Sequence, residues 1–492
     1  MPDKLMIQTT TAQVTQLWGT LRRLLKKPTV LFTANRYLSY LLQLVRGIWL
    51  ARILGPILFG VWGFLMLVSQ YTSYTGLGLQ YAINVELAVA EPDNKQNHAR
   101  LIAVALTTTG LISVGLLLAG LIVQYFQIPL FTKYSFTQYA LVMALLTGLT
   151  HVNQVYANIY RVYQKLGRIA AYELILAALP LTIIFFVSRE QLIMASLVAM
   201  VLANVIGVLV YTVRAPFPVR LMWDTPIARH LLKIGVPLLV YNLSFWLIIL
   251  AGRTIIGISY SVEMMGYFSL AYALANATLL GLRAVAWIIF PVVLAKTRFG
   301  LPDEAVRQTV WRVNVVYGTA VFLVVFGMIL AAPLLVIILP QYAASVGVLI
   351  ILLLSQAVLS VTFGYNSVAI ARKQQMKVAG IAMLAVVVVL ILGFAAAWLN
   401  LNMLWVAMSI LVGSAVFTFL QAWLGEGLLR QRPRIQDYWG RVMPIGSVIA
   451  VVLAVIGCLT EQYLVFSLAG LAVFLVGNRP QLRALWQYAR SL

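Results

Sequence analysis

Apolar runs of about 20 residues recur from residue 33 to residue 478, each long enough to cross a hydrocarbon core of about 30 Å as a helix. A chain built this way has few folds open to it. Hydrophobic residues make up 62% of the 492 and charged residues only 10%, with a mean hydropathy of +0.95. A soluble domain has about 45–50% and about 25%. No soluble core hides that much apolar surface, so the membrane is the solvent for nearly the whole chain.

Taken in order, the runs predict an all-α, polytopic membrane protein of about 14 transmembrane helices. The spans are 33–54, 57–80, 101–123, 137–158, 169–188, 191–213, 231–252, 264–288, 313–334, 343–368, 376–398, 402–424, 441–460 and 462–478. The segments between them carry most of the charge. Lys and Arg number 35 against 13 Asp and Glu, a formal charge of +22, which in a soluble protein would suggest nucleic acid as partner. Here position overrules that reading. Basic residues gather in alternate loops: Arg161, Lys165 and Arg168; Arg214, Arg220, Arg229 and Lys233; Lys296, Arg298, Arg307 and Arg312. Arg372, Lys373 and Lys377 follow, then Arg430, Arg432, Arg434 and Arg441, and in the tail Arg479, Arg483 and Arg490. The opposite loops hold little beyond Lys133 and Arg189, which predicts a multi-pass protein of a bacterial inner membrane with both termini cytoplasmic and no nucleic-acid partner. The first inner loop, with Glu86, Glu91 and Asp93 against Lys95 and Arg100, votes only weakly.

The N-terminal 30 residues lack a signal-peptide apolar core, so the first span is expected to act as insertion signal and the N-terminus to be retained. Before that span Trp18, Leu21, Leu24 and Leu25 alternate with Arg22, Arg23, Lys26 and Lys27, a pattern that suits a helix on anionic headgroups or a solvated basic tail. Cys458 stands alone, and His98, His151 and His230 have no metal-ligand spacing, so neither redox nor metal chemistry is expected. Phosphate-binding glycine loops and outer acidic clusters are absent from the sequence, and the longest outer segment, about 124–136, has only Lys133 charged. The chain reads as a non-enzyme without cofactors.

A faint internal repeat divides it. Asn35 and Arg46 lie eleven residues apart in the first span, as Asn242 and Arg253 do in the seventh. Each pair precedes a similar hinge, Phe59-Gly60-Val61-Trp62 and Met265-Gly266-Tyr267-Phe268. Duplication of a six-helix unit would give a basic N-terminal segment (1–32), an N-lobe (33–214), a C-lobe (215–424), two added spans (425–478) and a cytoplasmic tail (479–492). Two six-helix lobes would then enclose a central cavity.

Polar residues inside the spans fall on stripes. At 100° per residue Asn35, Arg36, Ser39, Gln43 and Arg46 share an arc of about 100° on the first helix. Ser69, Ser73, Gly76 and Gln80 share a face of the second, Asn242, Trp246 and Arg253 of the seventh, and Tyr272, Asn276, Arg283 and Trp287 of the eighth. An arginine at mid-helix costs about 2.5–3.5 kcal/mol on insertion scales unless it meets a wet cavity or a partner. Glu173 is the one carboxylate clearly within a predicted span, as a paired structural group or as a site of ion coupling. Arg46, Arg253 and Arg283 are therefore candidate ligands for an anionic, phosphorylated substrate, since a guanidinium matches phosphate geometry. The remaining stripe residues would line its path. Arg52, off the stripe, reads as a snorkelling or helix-capping cation.

The stretch Ala51-Arg52-Ile53-Leu54-Gly55-Pro56, followed by Phe59-Gly60 and Gly76-Leu77-Gly78-Leu79, resembles the N-terminal signature of bacterial polysaccharide-biosynthesis flippases. Gly266-Tyr267, an apolar helix to Pro291, and Leu339-Pro340-Gln341-Tyr342 are similar to that family's later segments. The resemblance covers nearly the whole chain as a pattern. It implies the multidrug/oligosaccharidyl-lipid/polysaccharide exporter superfamily, with lobes opening alternately on a polyprenyl-pyrophosphate-linked oligosaccharide bound for O-antigen, lipopolysaccharide or exopolysaccharide assembly. Membrane lipids, and polysaccharide polymerase or chain-length machinery, would be its partners. Where that family often has an acidic residue before the arginine of its seventh helix, Gly252 stands here, which weakens ion coupling at that point. The rival readings are a multidrug or cation antiporter of the same superfamily, a peptidoglycan lipid-precursor flippase and a non-transporting scaffold.

Overall fold

A computed structural model describes residues 28–89, 95–280, 303–429 and 442–491. Backbone amides and carbonyls have no water partners in hydrocarbon, so a spanning segment must bond to itself. The described residues accordingly form helices and no strand. In order these are α1 (Pro28–Thr72), α2 (Leu79–Val89), α3 (Lys95–Tyr125), α4 (Phe136–Val162), α5 (Leu166–Ile183), α6 (Leu192–Thr212), α7 (Thr225–Ser259) and α8 (Val262–Thr278). Then come α9 (Asp303–Ala331), α10 (Ser345–Ser360), α11 (Phe363–Ala371), α12 (Gln375–Trp398), α13 (Met403–Leu429), α14 (Ile445–Leu459), α15 (Tyr463–Gly477) and α16 (Arg479–Ser491), with a short helix, Leu334–Ile338, after α9.

Among the described residues nine helices are long and apolar enough to cross a membrane, or up to eleven if two bent pairs each count as one span. The predicted figure of 14 is not confirmed among the described residues. One of the nine, α1, covers two predicted spans, the eighth is described only to residue 280, and α14 is a shorter apolar helix. The break in α1 falls at Gly55, whose φ of 70° and ψ of 173° suit a residue without Cβ. Pro56 supplies no amide and disfavours helical geometry in the residue before it. The second predicted span also ends early. A turn over Ser73–Gly76 and left-handed Leu77 and Gly78 (φ 52° and 73°) separate it from α2.

The chain forms two compact units. The first comprises the residues up to Arg46, Leu79–Phe126 and Tyr139–Gly235; the second comprises Gly47–Gly78, Gln127–Gln138 and Val236–Leu492. These are groupings by contact, whereas the predicted lobes express a duplication.

In the first unit the core is aromatic. Tyr156, Tyr160, Tyr172, Tyr211 and Phe217 pack with Ile102, Ala105 and Leu231, and Tyr156 stacks on Tyr211 with ring centres 5.7 Å apart. Side chains also bond across it: Asn153 donates to the Asn204 carbonyl at 2.9 Å, and the Tyr172 hydroxyl to Asn204 Oδ1 at 2.9 Å. Gly207 makes this join of α4, α5 and α6 possible, because a Cβ there would lie 2.4 Å from the Tyr172 ring. Gly207→Val is expected to cost at least about 1–3 kcal/mol, the usual range for overpacking, and to lower the midpoint of thermal aggregation in detergent.

In the second unit α1 and α8 cross backbone to backbone. A Cβ on Gly60 would lie 1.9 Å from the Val262 carbonyl oxygen, and one on Gly266 2.0 Å from that of Pro56. The segment 127–138 joins this unit by capping α7: Lys133 Nζ donates to the Ile258 and Tyr260 carbonyls at 2.9 and 3.0 Å. A cation there also suits the negative end of the helix dipole.

Candidate functional site

The helix-one stripe lies in the first unit and divides into two halves. Asn35 donates to the Ala170 carbonyl of α5 at 2.9 Å, and Arg36 Nε sits 3.7 Å from Glu173 Oε1. Arg36 also lies over the rings of Phe32 and Tyr40, at 5.9 and 5.8 Å. Glu173 feels a second cation, Arg161, so the carboxylate faces two positive groups. That is a charge arrangement for holding α1, α4 and α5 together. Further along, Ser39 is buried and Gln43 half-buried. Arg46 is half-buried too, and its Nη1 is shut off from solvent without a hydrogen-bond partner. A guanidinium in that condition within a span has unused donors for an anion.

Arg253 occupies a different setting, in the second unit. Only 2% exposed, it donates through Nη1 to Gln70 Oε1 at 2.7 Å and through Nη2 to the Gly63 carbonyl at 3.0 Å. Its guanidinium carbon lies 4.2 Å from the centre of the Tyr272 ring, and Gln70 donates in turn to the Tyr272 hydroxyl at 3.3 Å. Beside this node Tyr71 and Thr254 share a 2.7 Å hydrogen bond. The guanidinium expected to meet a phosphate is thus engaged by α1 and α8, and it joins three helices where glycine lets two of them touch. Arg253→Met, which keeps bulk but not charge, removes hydrogen bonds worth about 1.5–3 kcal/mol each. Its expected result is a lower thermal midpoint in detergent, whereas Arg46→Ala should lower none.

The other stripe residues scatter. Gln80 begins α2, beyond the turn, so it does not continue the face of Ser69 and Ser73; the latter donates to the Gln70 carbonyl at 2.7 Å. Asn242 bonds back to Leu238 of its own helix at 2.8 Å, and Trp246 is 40% exposed. Asn276 accepts from Gln356 at 3.2 Å, and Tyr272 is buried beneath Arg253. Arg283 and Trp287 lie outside the described residues.

Sequence reasoning missed Gln70 and Gly63, which the Arg253 node needs. It also missed a second membrane carboxylate. Glu426, past the predicted end of its span, lies inside α13, 4% exposed. It accepts from the Tyr365 hydroxyl at 2.5 Å and stands 3.9 Å from Arg307 of α9. The helix α13 runs five residues beyond Leu424, through Gly425 and Gly427, and glycines at that point read in sequence as a helix end.

The profile described as polysaccharide biosynthesis protein matches residues 49–339. Solved structures share the fold. The lipid II flippase MurJ, in an inward closed conformation, is 14% identical, with 93% of this chain and 99% of that one covered and a TM-score of 0.70. An inward-facing multidrug resistance MATE family transporter of the MOP superfamily is 14% identical over 80% of this chain and 94% of its own, with a TM-score of 0.62. A MOP superfamily transporter from Pyrococcus furiosus, described by the reverse polarity of its binding pocket, gives 14%, 82%, 94% and 0.58 in the same terms. No curated protein matches the chain.

Proposed function

The chain belongs to the polysaccharide biosynthesis protein family, and on that premise we propose that it is a flippase for a polyprenyl-pyrophosphate-linked oligosaccharide. It would carry the headgroup from the inner to the outer leaflet of a bacterial inner membrane by alternating access, for cell-surface polysaccharide assembly. A charged pyrophosphate-sugar group cannot cross hydrocarbon unaided, so the protein must offer a polar route while the prenyl tail stays in lipid. Arg46 is the observation that carries this reading: a membrane cation with a buried Nη1 that has no hydrogen-bond partner. We assign it the pyrophosphate, with Ser39 and Gln43 beside the sugar path. Arg253 holds α1, α7 and α8 together, and Glu173 is assigned to structure through Arg36.

The same charge pattern argues against a cation antiporter, which needs acidic side chains facing its cargo. Glu173 and Glu426 both lie within 4 Å of an arginine. The test is a deletion strain whose lipid extracts are compared by leaflet. Accumulation of one lipid-linked glycan on the cytoplasmic side, reversed by the intact gene, is expected; unchanged lipid-linked glycans together with new sensitivity to cationic drugs would overturn the assignment.

Topology is tested separately, with Cys458 replaced by serine and single cysteines placed at Thr10, Ser135, Pro302 and Leu485. The basic-inside bias predicts labelling by an impermeant reagent from outside at position 135 alone.

A further inference from the structure

A cavity of about 690 Å³ opens within the first unit, lined by Asn84, Leu87, His98, Arg161, Tyr163 and Phe217, among others. That volume is within the roughly 300–1,000 Å³ of small-molecule sites. Its walls come from α2, the start of α3, the end of α4 and the segment before α7. All four lie where the basic-inside bias puts the cytoplasm.

The polar lining has a single sign. Arg161 brings the positive charge and is bound to the membrane-side network through Asn158 Oδ1 at 3.4 Å, while Asn84 donates to the same oxygen at 2.9 Å. His98 Nε2 is buried without a hydrogen-bond partner. Of the carboxylates in this unit, Glu86 lies 3.3 Å from His230, Asp224 accepts from Arg100 and from the Ile227 amide, and Glu173 is shared between Arg36 and Arg161. The Ile227 amide and, next to it in effect, Arg100 hold the Asp224 carboxyl below the usual carboxylate range. The apolar part of the wall is aromatic, with the Tyr163 and Phe217 rings 5.5 Å apart. A guanidinium, an unpaired imidazole nitrogen and an amide beside ring surfaces together match a phosphate attached to a sugar.

We propose that this cavity is an entry site that binds the sugar-phosphate part of the lipid-linked glycan on the cytoplasmic side before Arg46 receives it. The inference rests on the flippase reading. It adds a second, outlying station whose ligands are Arg161, His98 and Asn84, with Tyr163 against the sugar ring. A station here raises the local concentration of headgroup at the start of the route, and its single arginine binds weakly enough to let go.

With three histidines in the chain, the site can be watched directly. Full-length protein in nanodiscs, labelled with 15N-histidine, is titrated with glucose 1-phosphate, with glucose and with inorganic phosphate. The His98 ring signals, assigned by His98→Gln, should move with glucose 1-phosphate at millimolar concentration or below, less with phosphate, and not with glucose. Arg161→Gln should weaken that response by roughly tenfold or more and slow glycan export in cells by a similar factor. Tyr163→Ala should erase the preference for the sugar phosphate over phosphate. Arg46→Ala should leave the response intact, which separates this cavity from the deeper site. No movement of the His98 signals, or movement indifferent to both Arg161→Gln and Arg161→Lys, overturns the proposal. Lost probe binding with undiminished export overturns it equally. If the deletion strain accumulates its glycan and the probe still fails to bind, only the entry site falls; if nothing accumulates, the flippase reading falls first.

Discussion

Arg46→Ala is expected to abolish surface glycan while the amount and detergent stability of the protein stay as they were or improve. A guanidinium at mid-span costs about 2.5–3.5 kcal/mol on insertion scales, and Nη1 has no bond inside the protein to offset it. Removing the side chain therefore relieves the fold. For the substrate the change has the opposite sign. Two charge-assisted hydrogen bonds to a phosphate are worth about 1.5–3 kcal/mol each, so their loss corresponds to at least roughly a hundredfold fall in export. Arg46→Lys keeps the charge without the two-pronged contact and should recover only part of the rate. Export is measured as surface glycan per cell against protein level by immunoblot. Normal export by the alanine variant would remove Arg46 from the substrate's path.

Gly60→Val or Gly266→Val should have an effect of similar size for an unrelated reason. At either position a Cβ would come within about 2 Å of a backbone carbonyl oxygen, of Val262 or of Pro56. Backbone cannot rotate away as a flexible side chain can, so α1 and α8 must separate. Their separation would also strain Arg253, whose acceptors at Gly63 and Gln70 lie on α1 while the Tyr272 ring lies on α8. Little folded protein is expected in the membrane fraction, and what is extracted should aggregate on size-exclusion chromatography. Gly47→Val is the control, since a Cβ there has open space around it. A Gly60→Val variant with normal yield and elution would mean that the close crossing is not part of the native fold. The paired double variant should be no worse than the more severe single one, because both disrupt the same contact.

Those two glycines are also where duplication was read in the chain, as the hinge segments of two similar halves. Their meeting gives the motif a physical reason: each is the small residue that lets the other's helix approach. The Asn-to-Arg spacing carries less. Asn35 bonds to α5 and Asn242 to its own helix, while Arg46 has an unsatisfied Nη1 and Arg253 has two bound nitrogens beside an unsatisfied Nε. Equal spacing along two helices does not impose equal surroundings.

What the sequence determined by itself is what depends on the solvent of each segment. Apolar runs of spanning length demanded helices, the Gly55-Pro56 pair demanded a break in α1, and an arginine on the stripe of α1 demanded either a partner or a purpose. These follow from local chemistry and need no knowledge of neighbours. The tertiary structure alone decided which arginine had the partner. Arg46 and Arg253 read alike at 100° per residue, and only the approach of Gly63 and Gln70 from a segment some 180 residues away distinguishes them. Likewise only the turn at Leu77 and Gly78 shows that Gln80 leaves the face of Ser69, and only α13 running on past its apolar core brings Glu426 to Tyr365 and Arg307. A guanidinium's free energy in a membrane is set by the few atoms within hydrogen-bond reach, and those atoms come from helices whose contacts periodicity does not encode.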